Sequence, residues 1–268
     1  MLQAPLAEAD YWGANWARER DLPSPVDPAD GSLANSTDRA WHDFFRTILA
    51  DVPPGSRLLE IGAARSRWLP YFAQRFGLEV TGLDYSQEGC DQARAILARA
   101  DQSGDIVCAD LFAPPPRMLD RFDVVVSFGV VEHFPDTSTA IGACARLLAP
   151  GGRMITTVPN MRGSIGALQR LLDPKIYGIH VPLRPRDLRT AHEQAGLTVD
   201  RCGYVMPANW RVVVIHPSRP GRRVIRRVLG AATKLVWAAD RAGARIPSNR
   251  LTSPYLACVA RLDPHGGA

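Results

Sequence analysis

The sequence of 268 residues lacks any apolar run of the ~18–20 residues that a membrane-spanning helix needs. Its first residues, MLQAPLAEADYWG, also lack the basic segment and following apolar run that are typical of a secretory signal. The five cysteines show no C-x-x-C spacing, so we interpret them as small core residues in a reducing compartment. We therefore expect a cytoplasmic protein, and no metal site is predicted.

Lysine is almost absent as well, so arginine carries most of the positive charge. The formal net charge of +5 is local, because residues 219–245 hold eight basic side chains against Asp240 alone. This basic stretch lacks interleaved aromatic residues beyond Trp237, and no nucleic-acid recognition module is evident. Nucleic acid is therefore not an expected partner.

The same stretch has the apolar spacing of an amphipathic helix, with arginines on the other face. Its apolar positions are Val224, Ile225, Val228, Leu229, Ala232, Leu235, Val236 and Ala239. Three interpretations remain open: a cap packed on the substrate side, an element of a homodimer, or a peripheral membrane contact through residues 219–245 near a lipid-like substrate.

Short β-rich runs alternate with helical stretches along the middle of the chain, which predicts an α/β fold with a mostly parallel, Rossmann-like sheet covered by helices on both faces. The last two apolar runs are predicted to add an antiparallel terminal pair to the sheet edge. The predicted strands are Arg57–Ile61, Glu79–Asp84, Ile106–Ala109, Phe122–Ser127, Arg153–Val158, Leu197–Val205 and Tyr255–Leu262. Predicted helices cover about 35–49, 66–76, 86–100, 137–148 and 186–195.

We divide the chain into an N-terminal part, residues 1–50, and a main domain, residues 51–268. The N-terminal part holds an aromatic arm with Tyr11, Trp12 and Trp16 and then a helix, and we interpret it as a substrate cap. Two inserts interrupt the main domain, at residues 160–185 and 206–254.

Polar groups follow three successive predicted strands. The first strand carries Glu60 and ends at Gly62, where a glycine lets the backbone approach a ligand at a helix N-terminus. The second ends at Asp84, placed to accept hydrogen bonds from a ribose diol, and the third at Asp110, placed for an adenine amino group beside Leu111. Taken singly, Asp84 and Asp110 are more typical of solvated carboxylates at strand ends, or of helix caps, than of ligand-binding residues. Together they indicate a ligand outside the carboxyl ends of the strands.

These segments resemble the class I S-adenosylmethionine-dependent methyltransferase family. EIGAARS is similar to its first motif, GLDYS to its acidic second, CADLF to its third, FDVVVSFGVVEHF to its fourth, and LLAPGGRMITTVPN to the segment through its fifth strand. The resemblance is strong from about 57 to 160 and implies S-adenosylmethionine as cofactor, with S-adenosylhomocysteine as product. The cofactor contacts that it implies are Glu60, Gly62, Ala63, Asp84, Tyr85, Asp110, Leu111 and Phe128.

One position departs from the family pattern, because Ala64 stands where the family usually has a second glycine. We expect Ala64 to be tolerated, since it leaves its backbone N–H free for a ligand. The acidic Glu60 near this turn suits a sulfonium, whereas it would repel the pyrophosphate of a nicotinamide dinucleotide.

Methyl transfer from a sulfonium needs alignment of nucleophile and methyl group, and a base only for a protonated nucleophile. His133, after the fourth strand, and His180, in the first insert, are the candidate catalytic bases, and Glu132 is expected to have a structural or cofactor-loop role. The expected reaction is methylation of a small-molecule acceptor, at a hydroxyl oxygen of a specialised metabolite or sugar-like compound. Nitrogen or carbon methylation, and a non-catalytic cofactor-binding protein of the same fold, are the alternatives.

Overall fold

Seven strands form one mixed sheet in the order β3-β2-β1-β4-β5-β7-β6. The computed structural model describes residues 5–7, 9–18 and 21–264. The strands are β1 Arg57–Ile61, β2 Glu79–Asp84, β3 Asp105–Cys108, β4 Phe122–Phe128, β5 Leu148–Pro159, β6 Leu197–Val205 and β7 Tyr255–Leu262. The predicted α/β class is confirmed.

Strands β1 to β5 are parallel, and their carboxyl ends lie at one edge of the sheet. Ile61 at the end of β1 pairs with Leu83 of β2 and with Ser127 of β4, while Asp84 pairs with Cys108 of β3. Strands β2 and β3 lie on one side of β1, whereas β4 and β5 lie on its other side, so the direction in which strands are added changes between β1 and β4. Ligands of open α/β sheets bind at such a topological switch point.

Strand β7 runs antiparallel between β5 and β6, so the last two strands form the predicted antiparallel pair at the sheet edge. The bounds of β1, β2, β6 and β7 match those predicted from the sequence. Strand β5 begins at Leu148 and not at Arg153, because its first residues pair with the start of β4 beyond a register shift.

Helices cover both faces of the sheet, at α1 Ala9–Arg18, α2 Ser36–Ile48, α3 Trp68–Phe76, α4 Gln87–Arg99, α5 Thr137–Ala145, α6 Ser164–Leu172, α7 Pro174–Gly178, α8 Pro185–Gln194 and α9 Arg222–Ala239. Adjacent strand residues belong to different cores, as Leu58 packs with Phe45 of α2 on one face and Leu59 packs with Ile141 of α5 on the other. Both faces of the central strands are therefore apolar, as a parallel sheet requires.

Two local predictions need correction. Part of the N-terminal arm is helical, as α1, and the first insert holds two helices, α6 and α7, that the sequence did not reveal. Helix α2 begins at Ser36, and the preceding Asn35 forms no capping side-chain bond. The hydroxyl of Thr37 accepts a hydrogen bond from the Asn209 amide, 3.0 Å away.

The second insert, between β6 and β7, contains α9, whose inner side chains Ile225 and Leu229 pack against a small cluster that includes Ile165 of α6. Val224, Val228 and Leu235 of α9 are exposed, so only part of the apolar positions predicted from the sequence packs against the domain. In the described part of the chain, no helix is long and apolar enough to cross a membrane.

Candidate active site

The turn after β1 places a glycine where no side chain fits. Gly62 has φ +73°, and its N–H donates to the carbonyl of Leu83, 2.8 Å away. A Cβ at this position would lie 2.4 Å from Cγ2 of Val130, in the loop after β4. Glycine is therefore required on two counts, and the turn brings the ends of β1, β2 and β4 together.

Asp84, at the end of β2, holds this turn with its carboxylate. Its Oδ2 accepts a hydrogen bond from the Ala64 N–H at 3.0 Å, and its Oδ1 accepts one from the Ser86 N–H at 2.8 Å. The expectation of a free Ala64 N–H is therefore wrong, because that donor is already bound. Burial raises the pKa of Asp84, and the backbone donors oppose the shift. Each oxygen retains acceptor capacity for a ribose hydroxyl.

Glu60 lies beneath the same turn and is buried. Its Oε2 accepts a hydrogen bond from the Ser66 hydroxyl at 2.6 Å, and the Ser66 oxygen accepts from the N–H groups of Trp68 and Leu69, both at 3.0 Å. Burial raises the pKa of Glu60 to about 8. A cationic ligand nearby would favour its charged form. The neighbouring Ala63 is fully buried, and a Cβ on Gly82 would lie 2.7 Å from its methyl carbon.

The end of β3 lies beside the end of β2, because the Ala109 N–H donates to the Asp84 carbonyl at 2.9 Å. Asp110 is exposed at this edge, and its Oδ1 accepts from the Phe112 N–H at 3.0 Å. Tyr85 is 47% exposed there, while Leu111 is buried against the core. An exposed carboxylate and an exposed tyrosine thus stand at the open end of the sheet, next to a leucine that belongs to the core.

Phe128, at the end of β4, is largely taken up by packing. Its ring stacks on Trp68 with centroids 5.2 Å apart and meets the edge of Trp41 at 6.3 Å. A ligand contact at Phe128 would therefore use its backbone or the exposed part of the ring.

These residues fit an adenosine-containing cofactor. A glycine turn with no room for a side chain lies at the topological switch point, and carboxylates stand at the ends of β2 and β3. Asp84 would hold the ribose and Asp110 the adenine amino group.

His133 and His180 form a second cluster beside this crevice. Their ring centroids lie 4.6 Å apart, with the planes tilted. His133 follows β4 in a single helical turn, and the insert returns to this turn because the Val181 N–H donates to the Glu132 carbonyl at 2.7 Å. The sequence predicted each histidine separately, whereas the fold places them in contact.

Each of these imidazoles has its Nδ1 next to a backbone carbonyl. His133 Nδ1 lies 2.6 Å from the Ile179 oxygen, and His180 Nδ1 lies 2.6 Å from the Ile176 oxygen. A carbonyl only accepts, so Nδ1 carries the proton and Nε2 of a neutral ring carries a lone pair. Burial lowers the pKa of His133, against the pull of the Ile179 and Gly129 carbonyls. Burial and then His133 lower the pKa of His180 to about 4, so the neutral ring dominates near pH 7.

Glu132 completes the cluster. Its side chain is 1% exposed, and neither carboxylate oxygen has a hydrogen-bond partner among residues 5–7, 9–18 and 21–264. Burial raises its pKa to about 8. One potential ligand atom each of Glu132, His133 and His180 lies within 4.8 Å of the other two. The sequence signalled only the adjacent pair in VVEHF, because the third member comes from the insert.

Helix α1 passes over the cluster. The Trp12 ring meets His133 edge-on at 5.3 Å and stacks on Trp16 at 5.6 Å. The Leu6 N–H donates to the His133 carbonyl at 2.8 Å, and the Gln92 amide of α4 donates to the Trp16 carbonyl at 3.1 Å. The aromatic arm therefore spans the cofactor side and the histidine side of the crevice.

Comparisons with known proteins agree with this geometry. Residues 33–201 match a family model described as a methyltransferase domain. A ubiquinone biosynthesis O-methyltransferase of Cereibacter sphaeroides is 33% identical over 77% of this chain and 88% of its own length. A Bradyrhizobium protein of the same name is 34% identical over 40% of this chain, and that match spans 41% of the relative.

A solved structure of the Haemonchus contortus phosphoethanolamine N-methyltransferase 2, in complex with S-adenosyl-L-methionine, has the same fold. Its TM-score is 0.57 at 15% identity, and the match covers 96% of this chain and 59% of that one. The family model covers more than half of the chain and includes the cofactor crevice. This chain belongs to the class I S-adenosylmethionine-dependent methyltransferases, and it is an enzyme of that family.

Proposed function

We propose that the enzyme methylates a hydroxyl oxygen of a small, flat organic molecule. The observation that carries this proposal is the pair of histidines beside the cofactor crevice, with aromatic rings above it. A hydroxyl acceptor needs help in losing its proton, and neutral imidazoles at this place can give it. The name of the curated relatives, ubiquinone biosynthesis O-methyltransferase, supports an oxygen acceptor.

The cofactor supplies an activated methyl group on a sulfonium, so the protein has to hold both reactants in line and exclude water. The crevice after β1 and β2 would hold the adenosine through Asp84 and Asp110. His133 and His180 would then face the acceptor hydroxyl, because the loop from Gly129 to His133 follows β4 and packs its Val130 against the glycine turn.

The aromatic side chains of α1 suit a flat acceptor. Tyr11, Trp12 and Trp16 form a contiguous set, with Tyr11 edge-on to Trp12 at a centroid distance of 4.9 Å. Aromatic walls bury a flat ring over a large area and exclude water from the methyl transfer. The arm is therefore proposed as the cap of the acceptor pocket.

The test is a screen of phenols, sugars, amines and activated carbon acids with S-adenosylmethionine labelled in its methyl group. We expect mass gain by one methyl for hydroxyl compounds, and the carbon chemical shift of a methoxy group in the product. A labelled product whose methyl sits on nitrogen or carbon would overturn the proposal.

His180→Ala probes the acceptor end in the same assay. We expect turnover to fall ~10²–10⁴-fold while S-adenosylhomocysteine binding is unchanged, since the histidine acts on the acceptor. His216→Ala is the matched control, because His216 is exposed and its side chain bonds only Ser218 within the described residues. Near-parental turnover of His180→Ala would exclude a role of this histidine in activating the hydroxyl.

A further inference from the structure

We infer that Glu132, His133 and His180 bind a divalent transition-metal cation, of the class of Zn²⁺ or Fe²⁺, at the acceptor end of the site. The inference deepens the proposed function, but its direct test measures metal binding and needs no substrate. It departs from the sequence analysis, which predicted no metal site.

The three side chains supply a donor set that such a cation prefers. Two imidazoles and one carboxylate form the protein ligands of many catalytic zinc and non-haem iron sites, with the remaining positions open. Donor atoms around such a cation are about 3–4 Å apart, as bonds of ~2.0–2.2 Å dictate. The three atoms here already lie within 4.8 Å of one another, so small side-chain rotations bring them to that spacing.

The hydrogen bonds behind the imidazoles orient them as ligands. His133 and His180 each direct Nδ1–H to a backbone carbonyl, at Ile179 and Ile176, which fixes the tautomer and, in His180, leaves Nε2 as the donor atom. His192 gives an internal comparison. It has the same kind of Nδ1 bond, to Leu188, but its Nε2 is bonded to the Thr156 hydroxyl at 2.9 Å.

For His180, the structure gives no such partner to Nε2 in the described part of the chain. At His133, the Gly129 carbonyl is a second backbone acceptor, and it opposes the lowering of the pKa by burial. Both rings are thus held at Nδ1 like His192, and neither has a side-chain hydrogen-bond partner among the described residues.

Glu132 supplies the second and independent observation. A carboxylate that is 1% exposed, with both oxygens unpartnered among the described residues, is unfavourable as it stands. A bound cation removes that cost. The local backbone leaves room for the carboxylate, because a Cβ on Gly129 would lie 3.4 Å from Glu132 Oε1.

The cation would change how the hydroxyl is activated. It lowers the pKa of a hydroxyl that reaches an open position, so the O–H proton passes to water. The oxygen then forms its bond to the methyl carbon as the carbon–sulfur bond breaks, and the sulfur keeps the electron pair. In this arrangement His133 and His180 hold the cation and do not themselves take the proton.

The experiment titrates untagged, chelator-treated protein with Zn²⁺ and with Fe²⁺ under anaerobic conditions, by calorimetry and by metal content after dialysis. We expect one equivalent to bind, and Mg²⁺, which prefers an all-oxygen shell, to bind far more weakly. Glu132→Gln keeps the side-chain shape and should weaken Zn²⁺ binding 10-fold or more. His216→Ala is the control that should bind like the parent.

Thermal unfolding distinguishes loss of the metal site from loss of the fold, because a misfolded variant shows no cooperative unfolding transition. Zn²⁺ should raise the Tm of the parent and of His216→Ala, and leave that of folded Glu132→Gln unchanged. Absence of saturable binding, or equal binding by Glu132→Gln, would overturn the inference while leaving hydroxyl methylation intact. If the metal binds but no hydroxyl compound is methylated, the proposed function fails and the metal site stands.

Discussion

Substituting Gly62 with alanine tests whether the glycine turn shapes the cofactor crevice. At φ +73° an alanine is strained by about 1–2 kcal/mol, and its methyl would lie 2.4 Å from Val130 Cγ2. Relieving that overlap by moving Val130 costs a further ~1–3 kcal/mol. We therefore expect Gly62→Ala to lower the free energy of unfolding by about 2–5 kcal/mol, and to weaken S-adenosylhomocysteine binding because the turn is displaced.

A double-mutant cycle separates the two contributions. Val130→Ala alone removes two methyl groups from a half-buried side chain, at about 1 kcal/mol. In the double variant the overlap is gone and only the backbone strain remains, so its loss should be smaller than the sum by about 1–3 kcal/mol. Urea unfolding measures stability and calorimetry measures binding.

Gly142→Ala is the matched control, since Gly142 lies in α5 and an added Cβ would have no described atom within 4 Å apart from its chain neighbours and the backbone of its own helix. It should stabilise the protein by up to about 1 kcal/mol. A cost below ~0.5 kcal/mol for Gly62→Ala, or additive losses in the cycle, would refute the reasoning.

Two other perturbations examine the cofactor site and the outer helix. Asp84→Asn should weaken S-adenosylhomocysteine binding by about 1.5–3 kcal/mol, because it removes a charged acceptor; calorimetry on the folded variant decides, and parental affinity would exclude the ribose assignment. The second perturbation concerns α9, where Val224 and Val228 are exposed beside arginines. In a flotation assay, vesicles containing anionic lipid should bind the parent protein, and they should bind the variant that carries both Val224→Asp and Val228→Asp much more weakly. Replacing the arginines in the first two turns of α9 should leave the cofactor affinity within a few-fold of the parental value. If the parent does not bind vesicles but light scattering gives twice the mass of one chain, α9 would be a dimer interface instead.

The sheet could be predicted well because its signal is local. Each parallel strand is a short apolar run that ends in a turn. The run that leads through Glu60 to Gly62 therefore predicted both a strand and the strand end where the ligand would bind. Asp84 and Asp110 followed from the same rule, since parallel strands end at one edge.

The histidine cluster was harder to predict, because it depends on how the first insert folds back. The contact of His133 with His180 requires the Val181–Glu132 backbone bond, which has no local sequence signature. The occupation of the Ala64 N–H by Asp84 is likewise a tertiary contact. Helices α6 and α7 were not predicted, because Asp173 and Pro174 divide the apolar pattern of this segment into two pieces that are too short to show helical periodicity.

The position of α1 has a consequence for the order of events in a catalytic cycle. The arm bonds the backbone of His133 through Leu6 and bonds α4 through the Trp16 carbonyl, so as the proposed cap it would lie across the path by which a reactant enters. Exchange of substrate and product would then require these contacts to break once per turnover. Release, and not methyl transfer, would set the rate whenever the arm opens slowly, and bound ligands would protect the arm from proteases.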